Sequence, residues 1–230
     1  MRCGPNSACE QCAICGTISC PALVEFRQAR LSPWTMRICL LRITTLLCFV
    51  VSACALLHAN EPYGLNLQGA TVQELGGPGI RVVVLIFAAS DCPISNRYVP
   101  EIARLNREFT RQGVRIWWVF PNPEDNSSTV AEHNHAFAIT EPTVLDIRQH
   151  LVHLAHVTTT PEAAVFRSSG DVLREVYRGR IDDRYLSIGQ ERPQPQQHDL
   201  EAAIAAALAD KPVPQSGGPP IGCSIVSLQK

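Results

Sequence analysis

The chain has 230 residues, of which 46% are hydrophobic, and its 20 lysines and arginines nearly balance its 21 aspartates and glutamates, giving a net charge of −1. A near-neutral chain without a basic cluster is not typical of nucleic-acid-binding proteins, so we expect no nucleic-acid partner. The length and composition fit one globular domain that follows an export signal.

The N-terminal segment 1–35 is rich in cysteine but has little of the apolar pattern that builds a core. The spacing Cys9-x-x-Cys12-x-x-Cys15 could bind zinc. Metal ligands placed ahead of an export signal would be discarded with it, so we interpret residues 1–35 as an extension outside the folded protein. Its five cysteines are Cys3, Cys9, Cys12, Cys15 and Cys20.

Residues 36–59 have the pattern of a secretory signal peptide. Arg37 and Arg42 precede an apolar run over residues 43–57, and small residues stand near its end. The run is too short for a membrane span, and no second hydrophobic segment follows it. We therefore expect an exported protein in an oxidising compartment, periplasmic or anchored on the outer side of a membrane.

Two cleavage sites compete within this signal. Ala59 ends a small-residue site that would be cut before Asn60. The stretch Val51-Ser52-Ala53-Cys54 resembles a bacterial lipobox, in which the cysteine carries a lipid. Membrane attachment through a lipid on Cys54 and simple signal cleavage both stay open.

The segment that carries the chemistry begins with an apolar strand, Arg81–Phe87, and passes to a helical pattern near Asn96. Cys92 lies at this transition. A thiol at the first turn of a helix meets unpaired backbone N–H groups and the positive end of the helix dipole, which favour the thiolate. Asp91 beside it raises the thiol pKa, whereas Arg97 lowers it. We predict that Cys92 is a nucleophile.

Helices and strands alternate after Cys92, and a hairpin follows them. Ser128 and Asp146 are predicted helix caps, and Ser168–Asp171 is the predicted hairpin turn. Such an alternation implies an α/β sandwich. The predicted elements are the helix Arg97–Gln112 ended by Gly113, the strand Val114–Phe120, the helix Ser128–Ala138, the strand Pro142–Leu145, the helix Asp146–His156, the strands Glu162–Arg167 and Val172–Arg178, and the helix His198–Ala209.

Thr160-Pro161 stands directly before the predicted strand Glu162–Arg167. Bonds that precede proline are the only peptide bonds for which the cis form costs little, so this position is a candidate cis bond. The alternative is an ordinary trans proline that opens an edge strand.

The C-terminal residues 211–230 form a tail rich in proline and glycine, which cannot build a core and is therefore flexible or draped over the domain. The tail contains Cys223. A cysteine on such an arm could resolve a mixed disulfide formed at Cys92. The alternatives are a free or intermolecular thiol, or a ligand for a soft metal such as Cu(I).

The stretch from Phe87 to Ser95 resembles the active-site segment of thioredoxin-like proteins, in which a C-x-x-C motif opens a helix after a strand. Cys92 matches the first cysteine of that motif and Ser95 the second. Thr160-Pro161 resembles the cis-proline segment that faces the catalytic cysteine. The resemblance implies an α/β thioredoxin-like three-layer sandwich, with a central mixed sheet flanked by helices, over residues 60–210.

Two further segments are similar to exported bacterial redoxin proteins of the AhpC/TSA type. They are the charged stretch Tyr177–Tyr185 and the tail motif Gly222-Cys223-x-Ile225. Within this superfamily, peroxiredoxins have a threonine where this chain has Ala89, and an arginine near the position of Pro161. A peroxidase is therefore one alternative function. A non-catalytic Cu(I)-binding module is the other.

Thiol–disulfide exchange fits this pattern best. Cys92 would attack, Ser95 could donate a hydrogen bond to the thiolate, and Cys223 would resolve the mixed disulfide. The resemblance implies protein or small-molecule disulfides and thiols as partners, and we expect neither a cofactor nor a metal. The predicted site residues are Cys92, Ser95, Thr160, Pro161 and Cys223.

Overall fold

The computed structural model of the protein describes residues 61–170 and 172–228. The predicted extension 1–35, the signal peptide 36–59 and the lipidation site Cys54 lie outside the described residues. Within these residues no helix has both the length and the apolar character needed to cross a bilayer.

The described strands, in chain order, are β1 (Gly64–Leu65), β2 (Thr71–Val72), β3 (Val82–Phe87), β4 (Val114–Phe120), β5 (Thr143–Leu145), β6 (Thr159–Thr160), β7 (Glu162–Ser169), β8 (Val172–Gly179), β9 (Tyr185–Ser187), β10 (Gln190–Glu191) and β11 (Cys223–Ser224). The described helices are α1 (Pro93–Arg97), α2 (Val99–Phe109), α3 (Ser127–Ala136), α4 (His150–Ala155) and α5 (Asp199–Leu208), and a 3₁₀ turn spans Thr110–Gln112.

A mixed sheet of seven of these described strands, in the order β2-β1-β5-β4-β3-β7-β8, forms the centre of the domain. β3, β4 and β5 run parallel, whereas β7 pairs antiparallel with β3, and β8 with β7. Two short described pairs lie apart from this sheet, β9 with β10 and β6 with β11. The end of β3 leads directly to Cys92, so the centre of the sheet positions the predicted nucleophile.

Both faces of the sheet are buried. Along β3, Val84 and Ile86 pack into one apolar cluster with residues of α2 and α5, whereas Leu85 and Phe87 pack into a second cluster with residues of α4. Burial on both sides explains why β3 is apolar throughout instead of alternating with polar residues. The layers of helix, sheet and helix confirm the predicted α/β thioredoxin-like sandwich.

The helix predicted from Arg97 differs at its start. It begins at Pro93, and a break at Tyr98 separates α1 from α2. Proline is favoured in the first turn of a helix because its fixed φ suits the helix and its missing N–H needs no partner there. Pro100 has no N–H to donate to the carbonyl of Asn96, which explains the break. Gly113, with φ of 88°, ends the segment as predicted.

The prediction that Ser128 caps α3 is wrong. The cap is Asn126, whose side-chain oxygen accepts hydrogen bonds from the backbone N–H groups of Ser128 and Thr129, each at 3.0 Å. Asparagine competes well with serine for this position because its carbonyl oxygen reaches the same amides. The helix therefore begins one residue before Ser128.

The helix predicted from Asp146 begins later, at His150. Asp146 nevertheless binds its first turn, because its Oδ2 accepts from the N–H groups of Leu151 and Val152 at 2.9 and 3.0 Å. Gln149 directly precedes the helix, and its backbone lies in the left-handed region, with φ of 57°.

The hairpin also differs from the prediction, since β7 continues through Ser169 and takes up half of the predicted turn.

The C-terminal tail lies against the domain. The hydroxyl of Ser216 accepts a hydrogen bond from Arg180 N at 3.4 Å, and Gly217 N donates to Asp199 at 2.6 Å. Further along, β11 adds to β6 as an antiparallel strand. The tail therefore crosses the domain in a defined path that passes beside Cys92.

Candidate active site

Cys92 occupies the N-cap position of α1 and is 1% exposed. The loop before it is held by Asp125, whose Oδ1 accepts hydrogen bonds from both the backbone N–H, at 3.1 Å, and the hydroxyl of Ser90. On the helix side, Asn96 N donates to the carbonyl of Cys92 at 3.1 Å. The sulfur is thus fixed between the end of β3 and the first turn of α1.

The Thr160–Pro161 peptide bond is cis, as the sequence predicts. Thr160 is fully buried, and its carbonyl oxygen lies 3.6 Å from Cys92 Sγ. This carbonyl is an acceptor for the protonated thiol. The cis-proline segment therefore lines the sulfur directly.

The tail brings Cys223 to the same place through backbone pairing. Cys223 lies opposite Thr160 and Ser224 opposite Thr159 in the β6–β11 ladder, and Ile225 N donates to Thr158 O at 3.0 Å. A Cβ at Gly222 would lie 2.1 Å from the carbonyl oxygen of Thr160. Only glycine permits this approach, because the obstructing atom belongs to the backbone.

The two sulfurs are consequently in contact. Cys92 Sγ and Cys223 Sγ lie 3.1 Å apart, which is longer than a disulfide bond of about 2.05 Å and describes two reduced thiols. Cys223 is exposed, whereas Cys92 is buried. Cys223 also borders a pocket of about 460 Å³ that Asp91 and Glu124 line. A partner that approaches from solvent therefore meets Cys223 before Cys92.

The pKa values of the two thiols shift in opposite directions. Burial raises the pKa of Cys92, but hydrogen bonds from the Cys223 thiol, from Ser95 and from the Ile94 N–H outweigh it and lower the pKa below its ordinary value. The hydrogen bond to Cys92, burial and the charges of Cys92 and Asp91 raise the pKa of Cys223 to about 11. Cys92 is therefore the thiol that ionises first.

Ser95 is 1% exposed and lies one helical turn from Cys92. Its backbone N–H and its hydroxyl both lower the pKa of Cys92. Its hydroxyl also lies 3.5 Å from the backbone N of Ala89, in the loop before the cysteine. These contacts place Ser95 where the sequence predicts a hydrogen-bond donor to the thiolate.

A second group of potential metal ligands lies on α2 and at the start of α5. Among the described residues, Glu101, His198 and Glu201 bring ligand atoms within 4.8 Å of one another. Arg104 already donates hydrogen bonds to both carboxylates. The guanidinium supplies the positive charge that a metal ion would bring, so we interpret this group as an ion-pair cluster.

The structure brings together all five predicted site residues and adds some that the sequence did not single out. Asp125 holds the Ser90 loop, Gly222 permits the close approach of the tail, and Gln149 and Asn122 bind the tail beyond Cys223. A glycine directly before a cysteine could have indicated a close backbone approach. Nothing in the local sequence distinguishes Gln149 or Asn122 from other polar loop residues.

Comparison with known protein families identifies the domain. The model described as "AhpC/TSA family" matches residues 59–175, which is just over half of the chain. The chain belongs to the AhpC/TSA family. The matched segment of this AhpC/TSA protein contains Cys92, Ser95 and the cis Pro161, and it ends before the tail that carries Cys223.

Solved structures support the fold of this AhpC/TSA domain. An uncharacterized conserved protein from Geobacillus kaustophilus is similar at 25% identity with a TM-score of 0.61, covering 74% of this chain and 90% of the other. A hypothetical protein from Sinorhizobium meliloti 1021 is similar at 22% identity with a TM-score of 0.57, covering 70% of this chain and 87% of the other. No curated protein sequence matches the chain.

The thiol contacts of this AhpC/TSA protein predict how Cys92 titrates. Cys223→Ala removes the thiol that hydrogen-bonds Cys92, so the pKa of Cys92 should rise and its thiolate fraction at neutral pH should fall. Ser95→Ala should act in the same direction, whereas Ser127→Ala, an exposed change at the start of α3, should not. Thiolate absorbance recorded against pH gives these values. An unchanged or lower pKa in Cys223→Ala would contradict the account of the pair.

Proposed function

We propose that this protein is a thiol–disulfide oxidoreductase in which Cys92 is the nucleophile and Cys223 the resolving cysteine. The observation that carries the proposal is the contact of the two sulfurs at 3.1 Å, together with the opposite shifts of their pKa values. A contact at this distance needs only a small movement to become a disulfide. The lowered pKa assigns the attack to Cys92.

The proposed reaction has two exchange steps. The Cys92 thiolate attacks one sulfur of a substrate disulfide, forms a mixed disulfide and releases the other sulfur as a thiolate, which takes a proton from solvent. Cys223 then loses its proton and attacks Cys92 Sγ, which releases the second substrate thiol and leaves a Cys92–Cys223 disulfide. The substrate gains two electrons, and an external dithiol must return the enzyme to its reduced form.

The pKa of Cys223 gives these steps an order. The main causes of its high pKa of about 11 are the hydrogen bond with Cys92 and burial, and the charge of Cys92 adds to them. Once Cys92 is bound in a mixed disulfide it carries no charge, so the pKa of Cys223 should fall. The resolving thiol therefore stays protonated until the substrate has reacted.

Access to Cys92 requires the tail to move. Cys92 is 1% exposed, and Cys223 contacts its sulfur from the solvent side. An outside disulfide must therefore displace Cys223 before the first attack. Displacing the tail exposes little new apolar area at Val226, which is 50% exposed, and more at Ile225, which packs against an apolar cluster.

We further propose that the reaction takes place outside the cytoplasm. The support is the signal-peptide pattern of residues 36–59, with either cleavage before Asn60 or lipidation at Cys54. In an oxidising compartment a reduced thiol pair needs a dedicated dithiol donor. The protein and small-molecule disulfides predicted as partners fit this setting.

Trapping the intermediate tests the proposal. Cys92→Ser should abolish reduction of insulin, because the thiol with the lowered pKa is lost and Cys223 alone cannot complete the Cys92–Cys223 disulfide. Cys223→Ser should instead accumulate a covalent mixed disulfide at Cys92, because the second step is lost. Non-reducing electrophoresis followed by mass spectrometry detects that adduct. Full insulin reduction by Cys92→Ser would refute the proposal.

A second candidate is peroxide reduction, which the membership of the AhpC/TSA family and the Cys92-Pro93 pair favour. Ala89 provides no hydroxyl and Pro161 no guanidinium to bind a peroxide, so we expect slow oxidation of Cys92. Stopped-flow measurement with hydrogen peroxide should give a rate near that of a small free thiol at the same thiolate fraction. A rate several orders of magnitude higher would make peroxidase the main activity.

A further inference from the structure

Beyond Ile225, which packs against the apolar cluster that contains Leu85 and Phe87, the segment after β11 is held by polar side chains. Beyond Cys223, Val226 and Leu228 are 50% and 39% exposed, so their side chains contribute little apolar area to the docking of the tail. The N–H and the carbonyl of Val226 and the N–H of Leu228 nevertheless bond to the side chains of Asn122 or Gln149. Polar contacts therefore fix the path of the tail here.

Gln149 uses both ends of its carboxamide on this segment. Its Nε2 donates to Val226 O at 2.6 Å and to Pro121 O at 3.3 Å, and its Oε1 accepts from Leu228 N at 3.4 Å. The side chain is 3% exposed, although its backbone adopts a left-handed φ of 57° that a residue other than glycine rarely takes. A buried polar group in such a conformation indicates a specific role.

Asn122 completes the contact from a different loop. Its Oδ1 accepts from Val226 N at 3.2 Å, so the N–H and the carbonyl of Val226 are bound by two different side chains. The bond from Gln149 to Pro121 connects the two loops. The tail is thus held three residues after Cys223, directly beyond the segment that pairs with Thr158–Thr160. We call these contacts of Asn122 and Gln149 with Val226 and Leu228 the clamp.

We propose that Gln149 and Asn122 are positioning residues for Cys223. Their clamp holds the tail in register on β6 and so keeps the Cys223 sulfur against Cys92. This inference rests on the proposed resolving role of Cys223 for its consequence, but the clamp itself is a property of the reduced protein. Neither residue touches the reacting sulfurs, so both act through the tail.

Amide hydrogen exchange of the reduced protein tests the clamp. The reporter is the Ile225 amide, which bonds to Thr158 and not to either clamp residue. Gln149→Asn keeps an amide that tolerates the left-handed backbone but is too short to reach Val226, so Ile225 should exchange about tenfold faster. Gln112→Asn, on an exposed 3₁₀ turn, is the matched control and should leave the rate unchanged.

Asn122→Ala gives an independent variant, should Gln149→Asn fail to fold. It removes only the acceptor for Val226 N, and it should accelerate exchange of the Ile225 amide in the same way. Wild-type exchange of Ile225 in the folded variants would overturn the proposal. Faster exchange confined to Val226 and Leu228 would overturn it too, because the clamp would then not hold the strand.

The functional consequence has its own readout. Equilibration with reduced and oxidised glutathione gives the effective concentration of Cys223 at Cys92, which should fall about tenfold in both clamp variants but not in Gln112→Asn. A second result separates the two proposals: the wild-type chain forms no Cys92–Cys223 disulfide, although exchange of its Ile225 amide is faster in Gln149→Asn. That result would refute the proposed function but support the clamp. An unchanged equilibrium with a displaced tail would contradict the positioning role.

Discussion

The account of this protein depends on a short antiparallel ladder between two segments far apart in the sequence. Residues 159–160 and 223–224 pair as β6 and β11, and the carbonyl of Thr160 lies beside the sulfur of Cys92. Because backbone pairing fixes the position of a strand to within one residue, the ladder also determines which tail residue faces the sulfur. Gly222 makes the approach sterically possible, and Cys223 follows it.

Contact between the two sulfurs contributes to the difference between the pKa values of the two thiols. Burial raises the pKa of Cys92, but Cys223, Ser95 and Ile94 together lower it, whereas the hydrogen bond with Cys92, burial and nearby negative charge raise the pKa of Cys223. One thiol therefore becomes easier to ionise and the other harder. In the proposed reaction this asymmetry makes Cys92 the nucleophile, although Ser95 occupies the position of the second cysteine in its motif.

Much of the fold could be predicted from the sequence because its core is strongly patterned. Three features indicated the central sheet and the candidate site: the apolar β3, the cysteine after it and the proline before β7. The starts of the helices were less predictable, because several neighbouring residues are acceptable at each of them. The structure has Pro93 and His150 as first helical residues and Asn126 as an N-cap. The pairing of the tail could not be predicted, because a segment of prolines and glycines carries no apolar period and its position depends on contacts with Thr158–Thr160.

The most direct test of the central claim measures disulfide formation when only the ladder is disturbed. Reduced protein is treated with a limiting small disulfide, and peptide mapping then gives the yield of the intrachain Cys92–Cys223 bond. The wild type and Gly218→Ala, whose added Cβ meets only the end of the Arg180 side chain, should form this bond, whereas Gly222→Ala should form little of it, because its Cβ would strike the backbone carbonyl of Thr160. Equal yields in all three proteins, or no intrachain bond in the wild type, would contradict the account.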